Sequence, residues 1–493
     1  MHALFSRCHC SQPDVQELAI ISRVLDFCRR NLRKGNNADK QAALVKHSVL
    51  PPLQRLSRDQ HPISRKQISP NALKVLYRLK DAGFEAYLVG GCIRDLMLGL
   101  EPKDFDVATN AKPEEVRQVF RNCRLIGRRF RLAHVLFGRE VIEVATFRGH
   151  HSQPDESDEG EHHLSKASEE GLILRDNVYG TIEEDAERRD FTINALYYSI
   201  NHFEVLDFAN GVQAIAERKI ELIGDPETRY REDPVRMLRA IRFATKLNMQ
   251  IAPATAEPIP QLASLLKSIP PARLFEEFLK LFMAGKAFDN FMLMKQYGIL
   301  KQLLPSLHKA IAQEPEGKVF QLVSQALQDT DQRVADGKPV TPAFLFAAFL
   351  WYPVEIRSQT LQLESGLPPV DALNIAMTEV LSELQQRIAL PKRFSLVTRD
   401  IWSLQNRLAR SRGKRALSLL QLPKFRAGYD FLLLRAKAEG GDLQQLADWW
   451  LRFQQENETG QQQMLQQPGP AGGEHKPRRR RNYKRKRSSQ PKP

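Results

Sequence analysis

The chain is poor in cysteine, and what it has is badly placed for structural chemistry. Cys8, Cys10, Cys28, Cys92 and Cys123 are the five cysteines in 493 residues. An odd and scattered set excludes a disulfide framework. No second Cys/His pair at zinc spacing follows Cys8 and Cys10, so a structural zinc module is not expected there. No stretch of about 20 apolar residues occurs, which predicts no membrane-spanning helix. The segment from Met1 to Pro13 lacks the apolar run of a signal peptide. The expectation is a soluble cytoplasmic chain with no membrane partner, read as a monomer. The pattern Gly-x-x-x-x-Gly-Lys-Ser/Thr is also missing, which disfavours an ATP-hydrolysing motor.

What is present in excess is positive charge, and it is unevenly spread. The net charge is +15. Residues 474–493 hold ten Lys or Arg against one acid, more than half of that surplus. Such a tail binds polyanions by releasing counterions, without reading sequence. Nucleic acid is the partner this suggests, although tail charge alone does not separate RNA from DNA or from acidic lipid.

Hydrophobic periodicity divides the chain. Residues 1–64 read as an N-terminal extension and linker, with a short amphipathic helix over 20–32 that carries Arg23, Arg29 and Arg30. Residues 65–225 read as a mixed α/β head. A Ser69-Pro70 helix start leads into a helix burying Leu73, Leu76, Tyr77 and Leu79, ended at Gly83. Strands are expected over 85–89, 103–109, 132–137 and 141–146, the last two joined at Gly138-Arg139-Glu140. An acidic, polar stretch over 150–172 reads as a mobile insertion. Helical spacing takes over after Gly224, as at Leu274, Phe275, Phe278, Leu281 and Phe282. Residues 226–300 are read as a helical neck that binds nucleotide and RNA, 301–455 as a helical RNA-binding body and leg, and 456–493 as a disordered basic tail. The expected class is α+β: a small mixed sheet followed by helices.

The chemistry concentrates in the head. Asp104 and Asp106 stand two residues apart on an expected strand, so period-two geometry puts both carboxylates on one face. Gly90 and Gly91 precede them and let backbone amides approach an anion. Glu143, in Val141-Ile-Glu-Val144, is an acid set among apolar residues and needs a partner. A divalent cation shared by Asp104, Asp106 and Glu143 would supply one, as phosphoryl transfer requires. Each piece alone has a plain structural reading: an exposed strand edge, a turn, an ion pair of Glu143 with Arg148. Their order on consecutive elements of one sheet favours the chemical one. Further on, Asp233-Pro234 is a helix start, and Arg236, Arg239 and Arg242 recur every three residues as a basic stripe, with Leu238, Ile241 and Ala244 toward the core.

These residues resemble a known family. Leu88-Val-Gly-Gly-Cys-Ile-Arg-Asp-Leu-Met-Leu-Gly99 followed by Lys103-Asp-Phe-Asp-Val107 is similar to the head of the class II nucleotidyltransferases, which comprise tRNA CCA-adding enzymes and bacterial poly(A) polymerases. Glu187-Arg-Arg-Asp-Phe-Thr-Ile-Asn-Ala195 and Arg231-Glu-Asp-Pro-Val-Arg-Met-Leu-Arg-Ala-Ile-Arg242 extend the match over roughly residues 70–300. The resemblance implies catalytic Asp104, Asp106 and Asp190, with the metal being Mg2+ or Mn2+ and ATP the substrate. It implies that Gly90, Gly91 and Arg94 attend the triphosphate, Arg94 touching phosphates or neighbouring acids. Arg189 and Asp190 would hold the ribose. Asp233 and Arg236 would read the base edge, for which an acceptor and a donor are suited. Arg239 and Arg242 would complete the nucleotide and RNA site.

Two products compete within the family. Leu125-Ile-Gly-Arg-Arg-Phe-Arg-Leu-Ala-His-Val135, Val144-Ala-Thr-Phe-Arg-Gly-His-His151 and the basic tail resemble the poly(A) polymerases. No His-Asp dipeptide of the kind found in some CCA-adding enzymes is present. The expected activity is therefore addition of AMP from ATP to RNA 3′ ends (mRNA, small RNAs, decay intermediates), promoting RNA turnover alongside RNA-decay proteins. Addition of CCA to tRNA is the alternative. A non-catalytic RNA-binding protein on a transferase fold would need a broken acid set, and Asp104, Asp106, Glu143 and Asp190 are all intact.

Overall fold

A computed structural model describes residues 50–127, 131–149, 165–167, 173–176, 178–410 and 414–466. The expected helix over 20–32, the Cys8–Cys10 pair, Arg128 to Phe130 of the product-marking stretch, most of the acidic insertion and the basic tail lie outside the described residues.

The head is an eight-stranded mixed sheet whose strands lie in the order 54–56, 204–207, 196–199, 86–89, 106–109, 140–146, 132–137 and 123–126. Its first strand is β1 (Gln54–Leu56). Helix α1 (Pro70–Asp81) starts where the Ser69 hydroxyl accepts from the Asn71 amide and Pro70 takes the first turn, the expected cap with proline behind it. Ala72, Val75, Leu76 and Leu79 are its buried positions. Then come β2 (Ala86–Val89), α2 (Gly91–Met97), β3 (Asp106–Thr109), α3 (Pro113–Val119), β4 (Cys123–Ile126), β5 (Leu132–Phe137) and β6 (Glu140–Thr146). β5 and β6 form the expected hairpin, with Gly138 at φ +63° in the turn. β3 pairs antiparallel with β2 and parallel with β6. Short strands β7 (Ser165–Ala167) and β8 (Ile173–Asp176) pair antiparallel, so part of the segment expected to lack structure is a hairpin, a pairing that closes only a short loop. Helix α4 (Ile182–Arg188), β9 (Leu196–Ser199), β10 (Glu204–Asp207) and α5 (Gly211–Ala216) complete the head.

Two boundaries differ from expectation. β1 pairs with β10, Arg55 opposite Leu206, so residues expected in a linker form a sheet edge. A three-residue strand carries no periodicity of its own, and its partner lies about 150 residues away in sequence. β3 begins at Asp106, not Lys103. The chain of β2 turns away after Val89, which faces Asp106, leaving Asp104 and Phe105 without that neighbour.

From Pro226 helices dominate: α6 (Pro226–Glu232), α7 (Val235–Leu247) and, after a two-residue strand over 250–251 and short helical turns, α8 (Pro271–Phe282). Later helices include Lys318–Ala335, Pro342–Ser365, Pro369–Arg387, Lys392–Arg410 and Phe425–Glu439. The helix over 342–365 is buried on all sides along its first half, as an all-round apolar sequence requires. One hydrophobic core runs from Ile63 in the head to Leu434 among the helices. Phe191 and Phe243 meet edge to face at 5.6 Å where the head joins α7. Among the described residues no helix is long and apolar enough to cross a membrane.

Candidate active site

The site begins where β2 ends. Gly90 has φ +77°, and a Cβ there would lie 3.4 Å from Nη1 of Arg189. Both the backbone and the neighbour call for glycine. The Gly90 amide donates to the Leu196 carbonyl at 3.3 Å, so it is spoken for. The first amides of α2, from Gly91 on, are the ones without an intrahelical acceptor.

Asp106 opens β3 and stands opposite Glu143 on β6. Alternation along β6 sends Ile142 and Val144 into the core and Val141, Glu143 and Ala145 outward. Glu143 is thus half-exposed, 3.2 Å from His134 Nε2, and not the buried acid expected from its apolar flanks. Burial pushes the Asp106 carboxyl up to about 6, Glu143 and Asp104 push the same way, and Arg189 opposes them. Asp104 lies exposed just ahead of the strand. Among the described residues no three His, Cys, Asp or Glu converge as a metal cage. The three-acid cage anticipated from Asp104, Asp106 and Glu143 is therefore not assembled by the protein alone. The donor chemistry still fits a hard cation: a magnesium ion commonly takes one or two carboxylates and completes its shell with water and substrate phosphates.

Behind β3 lies a buried acid–arginine relay. Arg189 donates to Asp185 Oδ2 at 2.9 Å and to the Tyr197 hydroxyl at 2.8 Å, and Tyr197 donates to Asp185 at 2.6 Å. Burial raises the Asp185 carboxyl, but Arg189 and Tyr197 outweigh it and hold the group ionised below the usual range. Asp190 receives Arg239 Nε at 2.6 Å, Asn194 Nδ2 at 3.0 Å and the Phe191 amide at 2.9 Å. Against the upward push of burial, Arg239 and these donors hold Asp190 well below the carboxylate range.

Arg94 departs from expectation in part. It is buried, donates to Asp95 at 2.6 Å and Asn194 at 2.8 Å, and stacks over Phe243. It meets a neighbouring acid, as one of the two anticipated contacts required, but its guanidinium is enclosed and does not line the cavity. The arginines of α7 lie in three different settings. Arg236 donates to Glu232 at 2.8 Å and to the Arg229 carbonyl at 2.7 Å, Arg239 is held by Asp190, and Arg242 is pushed down to about 10 by burial and by nearby Arg239. Arg236 thus meets α6, Arg239 meets Asp190 of the head, and the Arg242 guanidinium lies over the Phe243 ring. Leu238, Ile241 and Ala244 are buried as expected.

Asp106, Glu143, Arg189, Asp190, Asp233, Arg236 and Arg239 line one cavity of about 470 Å³. Asp104, Arg94 and Arg242 are not among its lining residues. α8 supplies a wall of this cavity that sequence reading missed: Arg273, Glu276, Glu277 and Lys280. A signal was there. These polar positions recur at helical spacing opposite the apolar Leu274, Phe275, Phe278 and Leu281, but nothing local tells which solvent-facing stripe will meet another domain. Asp185, Asn194 and Tyr197, buried in the head, and Glu232 were also missed, because their arginine partners are fixed by tertiary packing.

The chain matches the poly A polymerase head domain over residues 86–221, the probable RNA and SrmB-binding site of polymerase A over 248–311, and the polymerase A arginine-rich C-terminus over 365–487. It is 52% identical to poly(A) polymerase I of Salmonella typhimurium over 472 residues, covering 95% of this chain and 98% of that one. The CCA-adding enzyme of Lactobacillus helveticus is 38% identical over 210 residues, 43% of this chain and 49% of that one. Among solved structures, the Bacillus stearothermophilus CCA-adding enzyme in complex with CTP is 24% identical, with a TM-score of 0.52 over 79% of this chain and 83% of its own, a likeness of fold.

Proposed function

The chain belongs to the poly(A) polymerase family, and we propose that its reaction is run by the residues lining the cavity between the head sheet and helices α7 and α8. It is a template-independent polynucleotide adenylyltransferase: it adds AMP from ATP to RNA 3′ ends and releases pyrophosphate. The observation that carries this is similarity to poly(A) polymerase I across almost the whole of both chains, whereas the CCA-adding relatives match over less than half.

Asp104 and Asp106 would hold a divalent cation, with Mg2+ or Mn2+ as the ion. When bound, such an ion lowers the pKa of the attacking 3′-hydroxyl and neutralises charge on the triphosphate. Glu143 raises the proton affinity of Asp106 from the adjacent strand, which makes the pair receptive to a cation. Arg189, held by Asp185 and Tyr197 with Nη1 beside Gly90, is a fixed positive group on the ribose side of the site, next to Asp190. Asp190, kept ionised by Arg239, accepts from the ribose. Arg94 acts one step back: it holds Asn194, which holds Asp190. Asp233 and Arg236 read the base. Positioning and preset charge are the means of catalysis here. With the α7 stripe engaged inside the protein, RNA affinity falls to outer cations and to the tail over 474–493. A place in cytoplasmic RNA turnover, working beside decay proteins, belongs to this proposal.

Product analysis tests it. Purified chain, Mg2+, all four nucleoside triphosphates and an unstructured RNA oligomer yield long A-only extensions. Three-nucleotide addition confined to a tRNA lacking its terminal CCA would overturn the assignment. Removing residues 474–493 lowers RNA affinity at physiological salt and flattens the log–log salt dependence by about one unit for each phosphate that the tail had neutralised, with the KM for ATP unchanged. Filter binding over a salt series measures it, and an unchanged slope would relieve the tail of that role.

A further inference from the structure

We propose that the groove between the helices over 369–387 and 392–410 docks an acidic, amphipathic helix of a partner protein. This goes beyond the reaction and does not depend on how the active-site residues are assigned.

Three helices build the groove, each at helical spacing. Val370, Leu373, Asn374 and Met377 line it from the helix Pro369–Arg387, and Ser403, Asn406, Arg407 and Arg410 from the helix Lys392–Arg410. Both sets fall at i, i+3, i+4 and i+7, so each helix turns one continuous stripe into the same space. Arg415, Ser418 and Leu419 close it from the helix Lys414–Leu420, at i, i+3 and i+4. The space they enclose is about 550 Å³. It lies where two hydrophobic cores meet: Leu373 and Met377 belong to the one that runs back to the head, Leu419 to a second one formed by the last helices.

The walls differ in chemistry. On the first helix Leu373 and Met377 form a buried aliphatic floor, and Val370 stands 50% exposed beside them. On the other two, Arg407, Arg410 and Arg415 are exposed. No acid lines the groove, and Arg410 and Arg415 meet no carboxylate among the described residues. The sequence around them is strongly basic, with ten Lys or Arg and one acid over residues 392–426. An aliphatic strip along one side and unpaired guanidinium groups along the other select a ligand that is apolar on one face and negative on the next.

Phosphates could satisfy the arginines, but they leave the aliphatic wall unexplained. Grooves that hold single-stranded RNA regardless of sequence stack its bases on aromatic rings, and no aromatic side chain lines this one. A stripe at i, i+3, i+4 and i+7 is instead the surface against which leucines at the same spacing on another helix interdigitate. Glutamates flanking those leucines would then meet Arg407, Arg410 and Arg415, which fixes the direction and register of the incoming helix.

The test is fluorescence anisotropy with the full chain and two labelled synthetic peptides of about 18 residues. One carries leucines at i, i+3, i+4 and i+7 with glutamates beside them. The other holds the same residues reordered so that no leucine face forms. A single-stranded RNA of about 12 nucleotides is the third probe. The amphipathic peptide binds at least about tenfold more tightly than the reordered one. Val370→Gln weakens it by about threefold to tenfold and leaves RNA affinity unchanged. Arg410→Glu combined with Arg415→Glu weakens it by about tenfold or more. All three positions are exposed, so the variants keep the fold. Equal binding of the two peptides, or a peptide affinity indifferent to Val370→Gln, would overturn the proposal and leave the groove a charged surface. A Val370→Gln variant that loses RNA and not peptide would overturn it in favour of an RNA subsite.

Discussion

Replacing Asp106 with alanine lowers adenylate incorporation by roughly 10³-fold or more, the scale of the several kcal/mol that metal-held charge supplies to phosphoryl transfer. Asp104→Ala does the same. The fold survives both, because Asp106 is the first residue of its strand and Asp104 is exposed ahead of it. A companion variant gives this prediction its edge. The Asp106 carboxyl is pushed up to about 6, first by burial and then by Glu143. Between the ordinary carboxylate range and about pH 6, the folded chain holds this proton more tightly than the unfolded chain. Stability is therefore lost as pH rises through that window and stays lost above it. Asp106→Asn removes that cost: at pH 7.5, without metal, its melting temperature is higher than that of the parent chain by about 1–2 °C, and it is inactive. Proton and metal compete for the same oxygens, so the metal concentration needed for half-maximal rate climbs as pH falls below about 6, approaching tenfold per unit. Metal titrations at pH 7.5 and 5.5 measure this. Polyadenylation at the normal rate by either alanine variant would remove the carboxylates from the mechanism.

Asp190→Ala is expected to fail in the opposite manner, losing stability together with activity. The side chain of Asp190 is 13% exposed and that of its partner Arg239 31%. Removing the acid leaves a guanidinium short of a partner in a confined place, which costs about 2–3 kcal/mol when discounted for the exposed side of Arg239. Asn194 and the Phe191 amide lose an acceptor as well. The low pKa of Asp190 gives the sign of the pH effect. Its contribution is present above the ordinary carboxylate range and is lost only as pH falls toward the depressed folded value, so it stands at every pH used for activity. Urea midpoints for Asp190→Ala, Arg239→Ala and the double variant measure the coupling. A double variant no less stable than Asp190→Ala alone is the expected result. Additive losses would show that the pair does not act as a unit, and an inactive Asp190→Ala of undiminished stability would make Asp190 purely catalytic.

The contrast between these two aspartates marks what a sequence can carry. Both belong to short motifs recognisable in the linear chain, and both line the same cavity. Which of them is a cleft-facing acid with a raised pKa and which is a buried ion-pair member depends on partners that lie elsewhere in the sequence. Glu143 reaches Asp106 through a strand register, and Arg239 reaches Asp190 across 49 residues. Arg94 is another example. The resemblance offered it phosphates or neighbouring acids; it pairs with Asp95, and Asn194 and Phe243, neither of them a neighbour in the chain, lie against it.

The linear chain by itself determined the local and periodic features: the Ser69-Pro70 helix start, the β5–β6 hairpin at Gly138, the turn at Gly90, the core face of α7, the acid that opens β3, and the family to which their order belongs. The structural features follow from residue spacings of two to four, where backbone geometry dictates which side chains share a face; the family rests on the resemblance of whole motifs. The tertiary structure alone decided which way each polar stripe looks. It set Arg236 on Glu232 and Arg239 on Asp190, brought α8 and Arg273 up to Asp233, left Glu143 half-exposed opposite Asp106, and added β1 to the sheet edge. A polar stripe has the same pattern whether it meets water, an acid or a ligand, and only the packing of the helices that carry it selects among the three.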